Sequence, residues 1–237
     1  MINKLLIIFV LYMTICKSAA GYHNQFLSII NYEQLYPRQA IVAISHRFNG
    51  KLFQDEGVFG QKKGANVAYF MRFGLPKLQS IQVFRSNLYD QLTFVYKKSF
   101  ELKNSSFYGI SFSYDQLKLN IKKENSLSST FFYSYKKDLY NVVLNLIYKD
   151  YFSSIQLGTG ISYTLFNNSK LLYEVISPVN KYKNKIIHII NLKIMTFGHN
   201  FYFFISNQNE VGDIPSSSGA DDMTFHSGFK IERIFDF

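Results

Sequence analysis

Apolar and polar residues alternate one by one through most of the chain, in segments of about ten residues, the length a tilted membrane-spanning strand requires. The clearest segment runs from Ser154 to Phe166. Ile155, Leu157, Ile161, Tyr163 and Leu165 fall on one face, against Ser154, Gln156, Gly158, Gly160, Ser162 and Thr164 on the other. Tyr108, Ile110, Phe112 and Tyr114 likewise oppose Gly109, Ser111, Ser113 and Asp115. Leu144, Leu146 and Tyr148 oppose Asn141, Asn145 and Lys149; Val67, Tyr69, Met71 and Phe73 oppose Asn66 and Arg72; Leu92, Phe94 and Tyr96 oppose Gln91, Thr93 and Lys97. Helical periodicity is sparse.

Read this way, the pattern predicts strands at 40–48, 64–74, 78–86, 90–100, 107–115, 127–135, 139–149, 153–166, 170–177, 185–196, 200–207 and 224–237. Two of these are weak: 170–177 is short, and Tyr202 and Phe204 make both faces of 200–207 apolar. Ten strands is therefore the alternative to twelve. An even count puts both chain termini on the periplasmic side. The connections then sort by side. Leu75-Pro76-Lys77, Lys136 to Leu139, Asn167-Asn168-Ser169 and Phe197 to Asn200 are tight, whereas Asn49 to Lys63, Gln116 to Ser126 and Gln208 to Met223 are long. Short periplasmic turns and long external loops are the habit of outer-membrane barrels.

Alternation alone does not say which face meets lipid, because a soluble barrel or sandwich alternates too, with its apolar face inward. A periplasmic barrel binding an apolar ligand is thus the competing reading. Three features favour the membrane. Tyr and Phe recur at strand ends, as aromatic girdles do. The polar faces carry Gly, Ser, Asn and Gln, residues suited to a wet lumen. The chain closes on an alternating strand, Gly228 to Phe237, in which Phe229, Ile231, Phe235 and Phe237 resemble the C-terminal signal read by barrel assembly machinery. Arg233 interrupts that apolar row and fits near a membrane interface, where a long cationic side chain can snorkel.

The N-terminus adds a location. Met1 to Lys4 is basic at its end, Leu5 to Cys16 is apolar and uncharged, and Ser18-Ala19-Ala20 supplies small residues for cleavage, the order of a secretory signal peptide. The apolar run is shorter than the roughly 20 residues a spanning helix needs. Thr14-Ile15 before Cys16 disfavours lipidation. The expected organisation is a signal peptide over 1–20, a periplasmic segment over 21–38 and a barrel over 39–237, exported to the cell outer membrane. Cleavage after Ala20 removes the single Cys, and with it disulfides and thiolate metal sites. It also removes Lys4 and Lys17, so the formal net charge falls from +10 to +8, still enough to attract anionic surfaces or solutes. Among 237 residues, 24 Phe and 18 Tyr are too many for a disordered chain.

Several segments, in order, resemble an uncharacterised family of outer-membrane β-barrels from Bacteroidota, known only as a domain of unknown function. Ala43 to Phe48 resembles its opening strand, which ends His-Arg-Phe-Gly; here Asn49 stands for the glycine. Phe59-Gly60 with Gly64-Ala65-Asn66-Val67, Arg85-Ser86 leading to Tyr96-Lys97, Gly198-His199-Asn200-Phe201 with Ser206-Asn207, and the closing Gly228 to Phe235 match later motifs. The chain departs at Asn49 and at Gln61-Lys62-Lys63. The resemblance implies a barrel fold and carries no activity with it.

Candidate chemistry is thin. His46, His188, His199 and His226 invite a lipid-modifying barrel enzyme, but the chain has no nucleophile elbow, no His-Glu-x-x-His and no paired carboxylates on a strand. His46 and His199 read as lumenal or interfacial hydrogen-bonding residues. Asp213, Asp221 and Asp222 lack the spacing of a calcium loop and read as a solvated loop. No metal, cofactor or catalytic residue is expected, and the protein is expected not to be an enzyme. Basic residues interleaved with aromatics follow strand parity rather than forming a patch, which argues against nucleic acid. Asn104 and Asn167 match a glycosylation acceptor only by composition. Arg47, Asn66, Arg72, Arg85 and Lys97 are candidates for the lumen or its interface. They either line an anion-favouring interior or pair with Glu101, Asp90 or Asp115 and fill it. The expectation is therefore an all-β, antiparallel transmembrane barrel, a passive pore or structural barrel with a mildly cationic lumen. Its expected partners are outer-membrane lipid, lipopolysaccharide, the assembly machinery and small anionic solutes.

Overall fold

A backbone crossing hydrocarbon must satisfy all its own hydrogen bonds, and a sheet does so only by closing on itself. The computed structural model describes residues 27, 28, 30, 35–53, 57–102, 105–119, 122–150, 154–178, 186–208 and 224–237, and these form one closed barrel. The strands are β1 (Gln39–Phe48), β2 (Ala65–Leu75), β3 (Gln79–Ser86), β4 (Gln91–Glu101), β5 (Ser106–Leu119), β6 (Lys122–Lys137), β7 (Tyr140–Lys149), β8 (Ser154–Phe166), β9 (Ser169–Pro178), β10 (Ile187–Thr196), β11 (His199–Ser206) and β12 (His226–Asp236). Each pairs antiparallel with its sequence neighbours. Strand β12 returns to β1, from Asp236 opposite Gln39 to Gly228 opposite Arg47. The count is twelve, not ten. The signal-peptide span 1–20, Asn104 and the loop aspartates Asp213, Asp221 and Asp222 lie outside the described residues.

The strand faces sort as a membrane barrel requires and a soluble one forbids. On β7, Asn141, Asn145 and Lys149 are buried, while Leu144, Leu146 and Tyr148 are about half exposed. On β5, Ser111, Ser113 and Asp115 point inward, and Phe112 and Tyr114 outward. Apolar side chains thus form the outer belt and polar ones the interior, which overturns the soluble, apolar-ligand reading. One of the two weak strands, 200–207, finds its reason here. Tyr202 and Phe204 are buried inward because they pack the lumen. Phe204 lies over Gly228 directly across the pair, and Phe132 over Gly109, where an added Cβ would meet each ring at 2.4 Å. These aromatic–glycine pairs fill the interior without spreading the strands.

The expected loop from Gln116 to Ser126 is a correction. Strands β5 and β6 continue through it, pairing as far as Leu119 opposite Lys122. Alternation is lost there (Lys118 faces Lys123), because a hairpin standing above the bilayer has water on both faces, yet its ladder persists. The loop after β1 does exist and is tied down. The Leu52 N–H donates to Phe225 O, the His226 ring to Gly50 O and Ser227 Oγ to Phe59 O. Gly50 and Gly60 approach so closely that a Cβ on either would strike the other's backbone. The exposed Phe53 and Phe59 of this loop stand beside Phe203, Ile205 and Phe229, carrying the apolar surface past the outer end of β11, an eight-residue strand.

The orientation of the belt makes a direct prediction. Leu144→Arg, at mid-height on the outer face, is expected to destabilise the folded barrel in lipid vesicles by about 2–4 kcal/mol in urea titrations.

Candidate functional site: the barrel lumen

Strand parity turns seven buried basic side chains inward: Arg47, Arg72, Lys97, Lys149, Lys170, Lys193 and Lys230. Three buried acids, Asp115, Glu174 and Glu232, oppose them, so the described interior has a formal excess of four positive charges. The two halves of the wall differ. From β4 to β8 the inward residues are mainly Ser, Thr, Gln, Asn and Gly; from β9 around to β2 they are bulkier and more charged.

The densest cluster follows from register. Lys193, Tyr202 and Lys230 lie side by side across β10, β11 and β12. Lys230 Nζ is 2.8 Å from Glu232 Oε1, and Tyr202 Oη donates to Glu232 Oε2 at 2.6 Å. Asn200 Nδ2 adds a longer contact of 3.4 Å. Lys230 Nζ also lies 4.6 Å from the Phe70 ring centroid and 4.9 Å from that of Tyr202, with Lys193 Nζ 5.2 Å from the latter. Aromatic faces attract a desolvated cation by their quadrupole, so the rings share the stabilisation of both ammonium groups. All four charged or phenolic side chains are almost wholly inaccessible. Elsewhere, Arg72 Nε donates to Gln82 Oε1 at 2.7 Å, the Arg47 guanidinium donates to the Gln208 carbonyl and lies over Phe204, and Gln91 and Thr93 donate to Asp115. Lys97 Nζ lies 6.0 Å from the Phe132 centroid.

The structure divides the residues singled out from sequence. Arg47, Arg72 and Lys97 point into the lumen, and Asn66 shares their face at its outer rim. Arg85 does not. It sits on the outward parity of β3, with its side chain largely exposed and 3.0 Å from Asp90 Oδ1. Position 85 is an odd step from Gln82 and Phe84, which face inward, so of the two placements, lumen or interface, parity leaves the interface, where Arg85 pairs with Asp90. His46 faces outward near the external end of β1, stacked on Phe229 at 4.8 Å. His199 faces outward at the opposite, periplasmic end of β11. The two histidines share no site. Phe229, Ile231 and Phe235 lie on the outer parity of β12, and the Phe237 N–H donates to Arg38 O beside the β1 seam. Arg233, also outward, sits near the periplasmic end with its guanidinium 5.3 Å from the Phe235 ring.

Of the segment 21–38, expected on the periplasmic side, Leu27, Ser28 and Ile30 lie against inward-facing residues of the barrel. The N–H groups of Leu27 and Ser28 donate to the two carboxylate oxygens of Glu174, at 2.7 and 2.8 Å. Ile30 pairs both its N–H and its C=O with the side-chain amide of Asn145, at 2.9 and 2.8 Å. Leu27 is buried in an apolar cluster with inward residues of β7, β9, β10 and β11. Glu174, Lys193, Lys230, Glu232 and Tyr202 are the lumenal residues that the sequence reading did not single out. Carrying alternation through β9 to β12 would have placed all of them on the inner face.

No family model and no curated protein matches the chain. Among solved structures it is similar to the KdgM porin, with a TM-score of 0.57 at 12% identity over 83% of this chain and 99% of that one. A KdgM porin in complex with disordered oligogalacturonate gives 0.55 at 11% identity, over 83% and 99%. The NanC porin gives 0.53 at 10% identity, over 84% and 99%. The likeness establishes the porin fold: a closed twelve-stranded, membrane-spanning barrel.

The Lys193–Tyr202–Lys230–Glu232 cluster should behave as a unit. Glu232→Ala removes the carboxylate ion-paired with the buried Lys230 and is expected to cost about 3–5 kcal/mol. Tyr202→Phe removes one charge-assisted hydrogen bond and should cost about 1–3 kcal/mol. Urea unfolding of both variants, followed by gel heat-modifiability, checks the order.

Proposed function

We propose that the protein is a passive, non-enzymatic pore of the outer membrane that favours small anionic solutes. It is exported through a cleaved signal peptide, folded by the barrel assembly machinery through the β12 strand, and surrounded by outer-membrane lipid and lipopolysaccharide. The observation that carries the reading is the excess of four positive charges on the described inner wall. In a narrow, low-dielectric passage fixed charge of one sign raises the local concentration of the opposite ion. The oligogalacturonate named with one structural neighbour is a polyanion, which supports an acidic oligosaccharide as the solute class. The resemblance to the Bacteroidota barrel family fits the same reading and narrows it no further.

The test is fractionation of expressing cells, followed by reversal potentials in planar bilayers under a potassium chloride gradient. The protein is expected in the carbonate-washed outer membrane, shifting on a gel after boiling, with chloride more permeant than potassium. Converting Lys97 and Lys149 to Glu takes the described lumenal charge from +4 to zero and should bring the permeability ratio to about unity. A cation-preferring wild type, or a selectivity indifferent to both substitutions, would overturn the assignment.

A further inference from the structure

The inner wall of β7, β9 and β10 carries an aliphatic patch within a largely polar and charged lumen. Val143, Leu172, Ile176, Ile187 and Ile189 point inward, although an aqueous passage gives such side chains no reason to be there. Leu27 accounts for them by packing among them. The polar groups on the same wall are equally specific. Glu174 is fully buried at mid-strand and accepts two consecutive main-chain N–H groups, one on each oxygen. Asn145, on the inward row of β7, presents its amide to one residue's N–H and C=O together. A carboxylate that receives two consecutive N–H donors holds a bend in the main chain, where successive N–H groups converge, and an amide that pairs with both main-chain groups of one residue likewise recognises backbone, independent of its side chain. A third feature lies at the entrance. Gly74, near the periplasmic end of β2, leaves room for the incoming chain, since a Cβ there would stand 2.1 Å from Tyr36 O and 2.8 Å from Leu35 Cβ. Leu35 then seats in a second inward apolar cluster with Ile41, Phe70, Phe84 and Ile234.

We propose that this wall is a main-chain binding seat whose occupant is the chain's own Leu27, Ser28 and Ile30, so that these residues close the barrel from within. The closure rests on the pore reading above; the seat does not. Opening requires these residues to leave Glu174 and Asn145, and a peptide with the same bend and an apolar residue at the Leu27 position would compete for the same groups.

Two measurements on the full chain separate the ideas. In planar bilayers the wild type should show low time-averaged conductance. Asn145→Ala, which leaves lumenal charge unchanged, and Leu27→Asp, which sets a carboxylate among five aliphatic side chains, should each raise it several-fold. In parallel, Leu27→Cys with Cys16→Ser provides a single thiol for maleimide. It should react slowly in the folded barrel and about tenfold faster when Asn145→Ala or Glu174→Gln is added, the loss expected from weakening such hydrogen bonds. Heat-modifiability on a gel confirms that each variant is folded. A thiol that reacts in the folded protein as fast as in urea would overturn the seat. Equal conductance in all forms with a protected thiol would overturn closure. A protected thiol, released by Asn145→Ala, in a protein that never conducts would sustain the seat and sink the pore reading.

Discussion

Every feature of this molecule depends on the hydrogen-bonded seam between β1 and β12. In hydrocarbon an unpaired N–H or C=O costs several kcal/mol, so an open sheet edge is not tolerated at membrane depth. The pairing from Gln39 with Asp236 to Arg47 with Gly228 removes the last edge. Once the sheet is closed, alternation has only one consistent solution. Each strand gives one face to lipid and the other to a confined interior, and a one-residue slip in any strand would exchange them. Fixing the seam therefore fixes Arg47, Lys230 and Glu232 inward, and Phe229, Ile231 and Phe235 outward.

Confinement then decides what the interior can hold. Eight strands leave room only for side chains, and much wider barrels hold water. Twelve strands lie between, and this chain uses the space unevenly. Small polar residues line β4 to β8, whereas β9 to β2 is packed by Tyr202, Phe204, Phe70 and Phe84 around charged groups. Removing two ammonium groups from water is costly unless they are paired. Glu232 ion-pairs with Lys230, and the faces of Tyr202 and Phe70 lie against the ammonium groups of Lys193 and Lys230 and add to their stabilisation. Aromatic residues therefore appear on both faces of β11, each for a separate reason.

Much of the fold was legible from residue spacing, because the side-chain period of a strand is a strict two and the belt tolerates few exceptions. Twelve strands and their directions could be read, along with the inward placement of Arg47, Arg72 and Lys97. Legibility failed where the physical cause of alternation was absent or divided. Above the membrane, β5 and β6 keep their ladder while water on both sides removes the polarity contrast, so their outer ends resembled a loop. At Arg85 charge alone left lumen and interface both open, and strand parity sends the side chain outward to Asp90. The lumenal seat was hidden for a different reason. Glu174 and Asn145 meet Leu27, Ser28 and Ile30 across more than a hundred residues of sequence, and no local pattern encodes that distance.

That seat shows what an exception to patterning means in a barrel. Natural sequences are locally consistent, so a group of rule-breaking positions indicates a requirement beyond the fold. Aliphatic side chains at 143, 172, 176, 187 and 189 contribute nothing to lipid contact and would be unfavourable beside water. Inward carboxylate and amide groups amid that patch would equally be poor choices for a purely apolar filling. An occupant with both apolar side chains and unsatisfied main-chain groups answers both departures at once, and a short stretch of polypeptide has that composition. The barrel wall and Leu27, Ser28 and Ile30 are therefore complementary parts of one interior. The alternation that builds the wall continues through those strands, with the residue types changed where the chain's own backbone, rather than water, is the neighbour.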